Sequence, residues 1–276
     1  MSRRNNKSRV SAPAEEGSAM PQIASALSIS APTEFVKLPT GGRFYPESHP
    51  FHNKGEIEIH YMTARDEDIL ASRVLLSKGT AVDRFLQNIL VDDGVDIDSL
   101  FLGDKNAILV AARVTGYGAE YEASVGCPAC GAEGSLTFDL SDPPIKGMPE
   151  DVTYTPRGTF TLELPKSKFL AEMKILTSKE QKYLDQLTQS KRKNNIQEST
   201  LTDLLKMVIV SINSIENRAE IEDFINKMPA MDSLAIRREY GRINPSVDLE
   251  QEYECSSCGK TTALEVPLGA DFFWPN

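Results

Sequence analysis

The chain has four cysteines, and all of them fall into two copies of one motif. Cys127-Pro128-Ala129-Cys130-Gly131 and Cys255-Ser256-Ser257-Cys258-Gly259 both read C-x-x-C-G. In such a knuckle the chain turns so tightly that two thiolates face one point, and the glycine supplies the positive φ the turn requires. Two knuckles facing each other complete a closed tetrahedral S₄ site, the geometry of structural zinc. The sequence therefore nominates Cys127, Cys130, Cys255 and Cys258 as ligands of one structural zinc ion per chain. Four cysteines also suit an iron–sulfur cluster. Paired disulfides conflict with a reducing cytoplasm, and neither pair precedes the helical pattern that a thioredoxin-type redox site needs. Four thiolates leave no open position for water or substrate, which disfavours a catalytic zinc. About 124 residues lie between Cys130 and Cys255, far more than in an ordinary zinc ribbon, so the ribbon must be split by an insertion.

The remaining reactive residues point to no reaction. His49, His52 and His60 are the other candidate ligands, but no cysteine lies near them in sequence and they read as loop or strand residues. Asp92-Asp93-Gly94-Val95-Asp96-Ile97-Asp98 is an acidic run without the spacing or terminal Glu of a calcium loop, and reads as a solvated connection. Lys105, Arg113 and Tyr117 could line a groove, yet nothing pairs them with a nucleophile. Walker, G-x-S-x-G, H-E-x-x-H and kinase motifs are all absent from the sequence. The expected function is non-enzymatic.

These residues sit in a chain of 276 residues, 40% hydrophobic and 25% charged, enough for one large domain or two small ones. The net charge is −10 and the pI near 5.0, which opposes a nucleic-acid partner. Arg3, Arg4, Lys7 and Arg9 make the N-terminus basic, and Lys191–Lys193 form a second short basic run. The longest apolar run, near Ala107–Ala112, is far short of the roughly 20 residues of a membrane span, and no signal-peptide stretch is evident. A cytoplasmic start and no membrane partner are expected.

The pattern along the chain predicts an α+β fold. Residues 1–33 read as a disordered leader. Leu38–Pro46 is a turn-rich loop whose aromatics pin it to the core, and Glu56–Tyr61 alternates as a strand. Thr63 with Asp66, and Thr80 with Asp83, mark two capped helices, and a third runs from about Asp104 to Thr115. Ala119–Val125 and Ser135–Leu140 read as paired strands around the first knuckle, and Thr159–Leu164 as a further strand. The pattern from Lys166 to Ile243 reads as helical, including one apolar helix over Leu201–Ile212, with 188–200 as a polar loop or frayed end. A last strand, Thr262–Val266, follows the second knuckle. The expected organisation is a 1–33 tail, a 34–140 α+β domain ending in the first knuckle, a 141–158 linker, a mainly helical insertion over 159–249, and a 250–276 segment that completes the ribbon. The closing Phe272-Phe273-Trp274 either packs on its own domain or serves an interface.

Several motifs in order resemble one family. They are Leu38-Pro39 through Phe44-Tyr45-Pro46, Met62–Leu70, Gly103-Asp104 before an apolar helix, Arg113, and Tyr117-Gly118 leading into the first knuckle. Met228–Ser233, the second knuckle and Phe272–Pro275 complete the set. This order resembles the T4-type baseplate family of contractile-tailed phages over most of the chain after about residue 34. The resemblance implies a structural or assembly protein of the baseplate hub. Its implied partners are other hub, tail-tube or tape-measure proteins, met in the host cytoplasm during assembly and in the virion tail afterwards. The rival expectation is a zinc-ribbon module for nucleic acid or transcription. It rests on the two basic runs alone.

Overall fold

The computed structural model describes residues 32–266, 268 and 270–273. The expected leader, apart from Pro32 and Thr33, lies outside the described residues, as does Trp274. Strands β1 (Thr33–Lys37) and β2 (Glu56–His60) come first, followed by helices α1 (Ala64–Ala71), α2 (Arg73–Lys78), α3 (Ala81–Ile89) and α4 (Leu102–Tyr117). Next come β3 (Glu120–Gly126), β4 (Glu133–Asp139), β5 (Ile145–Lys146), β6 (Thr159–Glu163) and β7 (Leu170–Lys174). Helices α5 (Ser178–Lys193) and α6 (Thr200–Val208) lead into β8 (Ile209–Ile212), then α7 (Arg218–Lys227) and α8 (Ala230–Ile243). The order closes with β9 (Ser246–Val247), β10 (Glu250–Glu254), β11 (Thr261–Glu265) and a 3₁₀ turn at Ala270–Phe273. The sheets are small and antiparallel: β1–β2, β3–β4, β5–β9, β10–β11 and β6–β7–β8. The α+β class expected from the sequence is the class observed.

Helix α4 is the axis of the packing. Ala107, Ile108, Leu109, Val110 and Ala112 are all buried, so the helix is apolar on most of its circumference, as a helix covered on several sides must be. It packs against β1, β9, α3, α5 and the C-terminal turn. At its N-terminal end Asp104 is fully buried and holds the Leu38–Pro46 loop. Its carboxylate accepts the Thr40 N–H (2.9 Å), the Thr40 hydroxyl (2.6 Å) and the Tyr45 hydroxyl (2.8 Å). At the other end Arg113, also buried, donates to the carbonyls of Phe272 and Gly118 at 3.1 Å and lies over the Tyr117 ring. Phe272 and Phe273 are buried in this chain's own core, against Tyr121 and Phe85 respectively.

The Thr63 cap forms as expected, with Asp66 accepting both the N–H and the hydroxyl of Thr63. The Thr80–Asp83 cap does not, because ion pairs with Lys105 and Lys182 take up the Asp83 carboxylate. Two further expectations need correction. The stretch from Lys166 to Ile243 is not wholly helical, since Leu170–Lys174 is β7, the central strand of a three-stranded sheet. The helix expected over Leu201–Ile212 ends at Val208, and Ile209–Ile212 extends to pair with β7. Residues 141–158 hold β5, paired with β9, and Tyr154, whose ring meets Phe44 and Phe160.

Candidate metal centre

Each cysteine pair closes the tip of a hairpin, the first between β3 and β4, the second between β10 and β11. The two tips repeat one another bond for bond. Cys127 N–H donates to the Ala132 carbonyl at 2.9 Å, and Gly131 N–H to the Cys127 carbonyl at 2.8 Å. Cys255 N–H donates to the Lys260 carbonyl at 3.1 Å, and Gly259 N–H to the Cys255 carbonyl at 2.8 Å. Gly131 (φ 72°) and Gly259 (φ 67°) adopt the left-handed backbone that the motif predicts for them.

The hairpins come together through specific contacts. The Gln251 side chain donates to the Asp139 carbonyl at 2.9 Å and accepts the Asp139 N–H at 3.2 Å. Tyr253 lies against Gly134 so closely that a β-carbon there would stand 2.4 Å from its hydroxyl. Any larger residue there would have to push the Tyr253 hydroxyl aside. Cys127, Tyr253 and Cys255 form a small buried cluster of their own, with Val125, Ala132, Leu136 and Leu264 around it.

All four sulfurs converge. Their Sγ atoms lie within 4.8 Å of one another, with Cys127 to Cys258 at 3.9 Å and Cys130 to Cys255 at 3.7 Å. These separations are too long for disulfides, and the cysteines are free. A tetrahedron of thiolates around zinc, with Zn–S of about 2.3 Å, has sulfur–sulfur edges of about 3.8 Å. The donor set therefore fits such an ion in type and spacing. Cys127 and Cys255 are buried, and Cys130 and Cys258 are exposed.

The electrostatics also suit a cation. Backbone N–H groups of Cys258 and Ser257 donate to the Cys255 sulfur and hold its pKa down at about 6. The Ala132 N–H lowers Cys130 likewise, but sharing hydrogen with Cys258 and Cys127 outweighs it and raises Cys130 to about 12. Four thiols this close cannot all ionise unaided, and a bound divalent cation removes that conflict.

The other candidate residues lie elsewhere. His49 stacks on Tyr45 (4.3 Å), its Nε2 lies 3.0 Å from the Ser99 hydroxyl, and its Nδ1 accepts the Phe51 N–H at 3.0 Å. His52 Nδ1 donates to the Tyr45 carbonyl at 2.6 Å, and His60 lies on β2. The histidines are separate structural residues, and the cysteine set is the one metal-competent cluster among the described residues. The acidic run is tied down by Lys54 to Asp92 and Lys182 to Asp98. Lys105, Arg113 and Tyr117 each have partners of their own, although Arg113 also lies over the Tyr117 ring. Lys105 pairs with Asp83, Arg113 is buried, and the Tyr117 hydroxyl donates to Glu67 at 2.6 Å. Sequence reasoning missed the buried carboxylates Asp104 and Asp232, the latter accepting the N–H groups of Lys166 and Ser167.

Fold and cluster together define an α+β protein in which cysteine hairpins from distant parts of the chain converge on four thiols. The model of one family, described as T4 bacteriophage base plate protein, matches residues 31–274. The chain belongs to that family. Membership implies a structural role in the phage baseplate and contact with other phage structural proteins. No curated protein and no solved structure matches the chain. No described helix is long and apolar enough to cross a membrane.

Proposed function

We propose that this protein is a structural or assembly component of the baseplate hub, and that it acts by docking. One zinc ion held by Cys127, Cys130, Cys255 and Cys258 fixes its shape. Its partners are other hub, tail-tube or tape-measure proteins. They meet it in the host cytoplasm during assembly, and the hetero-oligomer takes its place in the virion tail. The observation that carries this reading is the convergence of the two knuckles in a chain of this family. When bound, the ion neutralises the thiolates and cross-links the two hairpins, which is a contribution to stability and not to a reaction. Residues 159–249 then form an insertion between the two halves of a ribbon, with α5–α8 carried on a fixed frame.

The nucleic-acid reading loses ground on the hairpins themselves. Their exposed residues include Glu120, Glu122, Glu133, Asp139, Glu250, Glu252, Glu254 and Glu265 against Lys260. The register sets Glu120 opposite Asp139 and Glu250 opposite Glu265. Such a surface repels phosphate.

A tagged chain recovered from infected or co-expressing cells, with metal quantified on the same sample, tests the proposal. Hub, tape-measure or other tail proteins are expected together with about one zinc per chain. Cys127→Ser and Cys255→Ser are expected to give misfolded or metal-free protein. Soluble, fully stable variants would overturn the zinc assignment, and recovery of nucleic acid or polymerase subunits would overturn the hub assignment.

A further inference from the structure

The two edges of the β1–β2 pair differ. The outer edge of β2 is closed, because Ile59 bridges Leu90 and the Val91 N–H donates to the Glu58 carbonyl. Among the described residues, the outer edge of β1 is open. Tyr61 N–H bonds the Pro32 carbonyl and Leu38 N–H bonds the Gly55 carbonyl, with an unbroken register between them. By the antiparallel alternation, Glu34 and Val36 bond to β2, while Thr33, Phe35 and Lys37 turn their backbone N–H and C=O groups outward. Among the described residues no partner meets those outward groups. Phe35, at mid-strand, is 63% exposed.

A groove of about 760 Å³ runs beside this edge. Ala107, Val110, Ala111 and Val114 of α4 form its floor, and the segment 140–145 forms the opposite wall. The groove thus lies between two sheet fragments, β1–β2 and β5–β9, that pack on the same helix. Its ends carry opposite charge. Met62, one residue beyond the Tyr61 that pairs with Pro32, packs on Gly116, and Leu140 N–H bonds the Ala119 carbonyl. Glu34 and Asp142 therefore lie toward the C-terminal end of α4, where the helix dipole is also negative. The other end of β1 leads to Thr40, held by Asp104 in the first turn of α4, so Lys37 marks the positive end.

We infer that the open edge of β1 accepts an added β-strand from another baseplate protein. The strand is an extended segment of about five residues, matching Thr33–Lys37. It is apolar at alternate positions, to lie on α4. It carries a Lys or Arg at the end that meets Glu34 and Asp142, and an acidic residue at the end that meets Lys37. A second copy of this chain fits less well, because pairing β1 with β1 brings a second α4 and a second 140–145 wall against the first. The inference rests on the docking reading above and adds to it the binding surface and the chemistry of the partner.

The test uses the full zinc-loaded chain and an array of overlapping peptides from the other tail proteins of the same phage. Phe35→Pro removes one outward N–H and leaves the bonds to β2, which run through Glu34 and Val36. Phe35→Ala keeps that N–H, and Val74→Asp alters an exposed apolar residue on α2. Alternating apolar peptides with a basic end are expected to bind and to slow amide exchange at Phe35 and Lys37. Affinity is expected to fall at least about tenfold in Phe35→Pro, less in Phe35→Ala, and not at all in Val74→Asp. Equal binding by Phe35→Pro at unchanged zinc content and melting temperature overturns the inference. So does protection of the β1 amides that rises with protein concentration alone, which would mean that a second copy covers the edge. Hub proteins that co-purify equally with Phe35→Pro leave the docking reading standing and remove the groove from it. Failure of every version to capture a phage protein removes the docking reading itself.

Discussion

Gly103 offers a test in which one substitution should have opposite signs at two places. It is buried in the first turn of α4, where alanine would ordinarily improve a helix by about 1 kcal/mol. Here a β-carbon would stand 1.9 Å from the Pro245 carbonyl oxygen, 2.8 Å from its carbon and 3.0 Å from the Ser246 Cα. All three atoms are backbone, so no rotamer change relieves the contact. Helix and strand must part by about 1 Å, and overpacking of this kind costs about 1–3 kcal/mol, sometimes more. The displaced segment opens β9, which packs on α4 and pairs with β5. Gly103→Ala should therefore lower stability by about 1 kcal/mol net, the clash outweighing the gain in propensity. Gly241→Ala is the control. Gly241 is exposed in the last turn of α8, and nothing lies within 4 Å of its added carbon. That variant should gain up to about 0.5–1 kcal/mol. Urea unfolding of zinc-loaded protein, followed by far-UV circular dichroism, reads both as shifts of midpoint at constant slope. A Gly103→Ala midpoint at or above wild type would refute the reasoning, because it would mean that α4 and β9 do not meet as described.

Two further outcomes follow from single side chains. Burial holds the His49 imidazole below its ordinary pKa, with Asp96 pulling weakly the other way, and protonation would place a hydrogen on the Nδ1 that accepts the Phe51 N–H. The unfolded chain then binds the proton more readily than the folded one, so the His49 contribution is fully present above about pH 6.5 and is lost as the pH falls through that value toward the folded one. Unfolding midpoints measured across that window should fall more steeply in wild type than in His49→Gln, and parallel curves would exclude the effect. Arg113→Met keeps the aliphatic stem and leaves the carbonyls of Phe272 and Gly118 without their donor, which should cost about 2–4 kcal/mol and expose the C-terminal turn to carboxypeptidase. Unchanged resistance to digestion would show that Phe272 and Phe273 hold themselves in place.

The candidate site was legible because its chemistry is local. C-x-x-C-G specifies a tight turn wherever it occurs, and two copies in a chain with no other cysteine have only each other to face. The Thr63–Asp66 cap was legible for the same reason. The Thr80–Asp83 cap has the same spacing and fails, because Lys182 on α5 reaches across from far along the chain. Residues 170–174 read Leu-Ala-Glu-Met-Lys, all good helix formers, and became a strand because β6 and β8 flank them on both edges. Ile209–Ile212 continues the apolar pattern of α6, and only its pairing with β7 separates strand from helix. Asp104 and Asp232 sit inside motifs visible in the sequence, but nothing there showed that they are buried, because each carboxylate is satisfied by groups more than sixty residues away.

The distance between the knuckles also sets a clock on synthesis. Cys255 follows its neighbour Cys130 by 125 residues, and Arg113 waits 159 residues for the Phe272 carbonyl. At about 5–20 residues per second, the first pair of thiols leaves the ribosome roughly 6–25 s before the second. Through that interval the β3–β4 hairpin has no partner hairpin and α4 has no cover from β9 or from the C-terminal turn. A chain broken off anywhere in the interval keeps half a cluster and an unlatched central helix. Convergence of the four thiols thus separates nascent chains that have reached their second knuckle from those that have not.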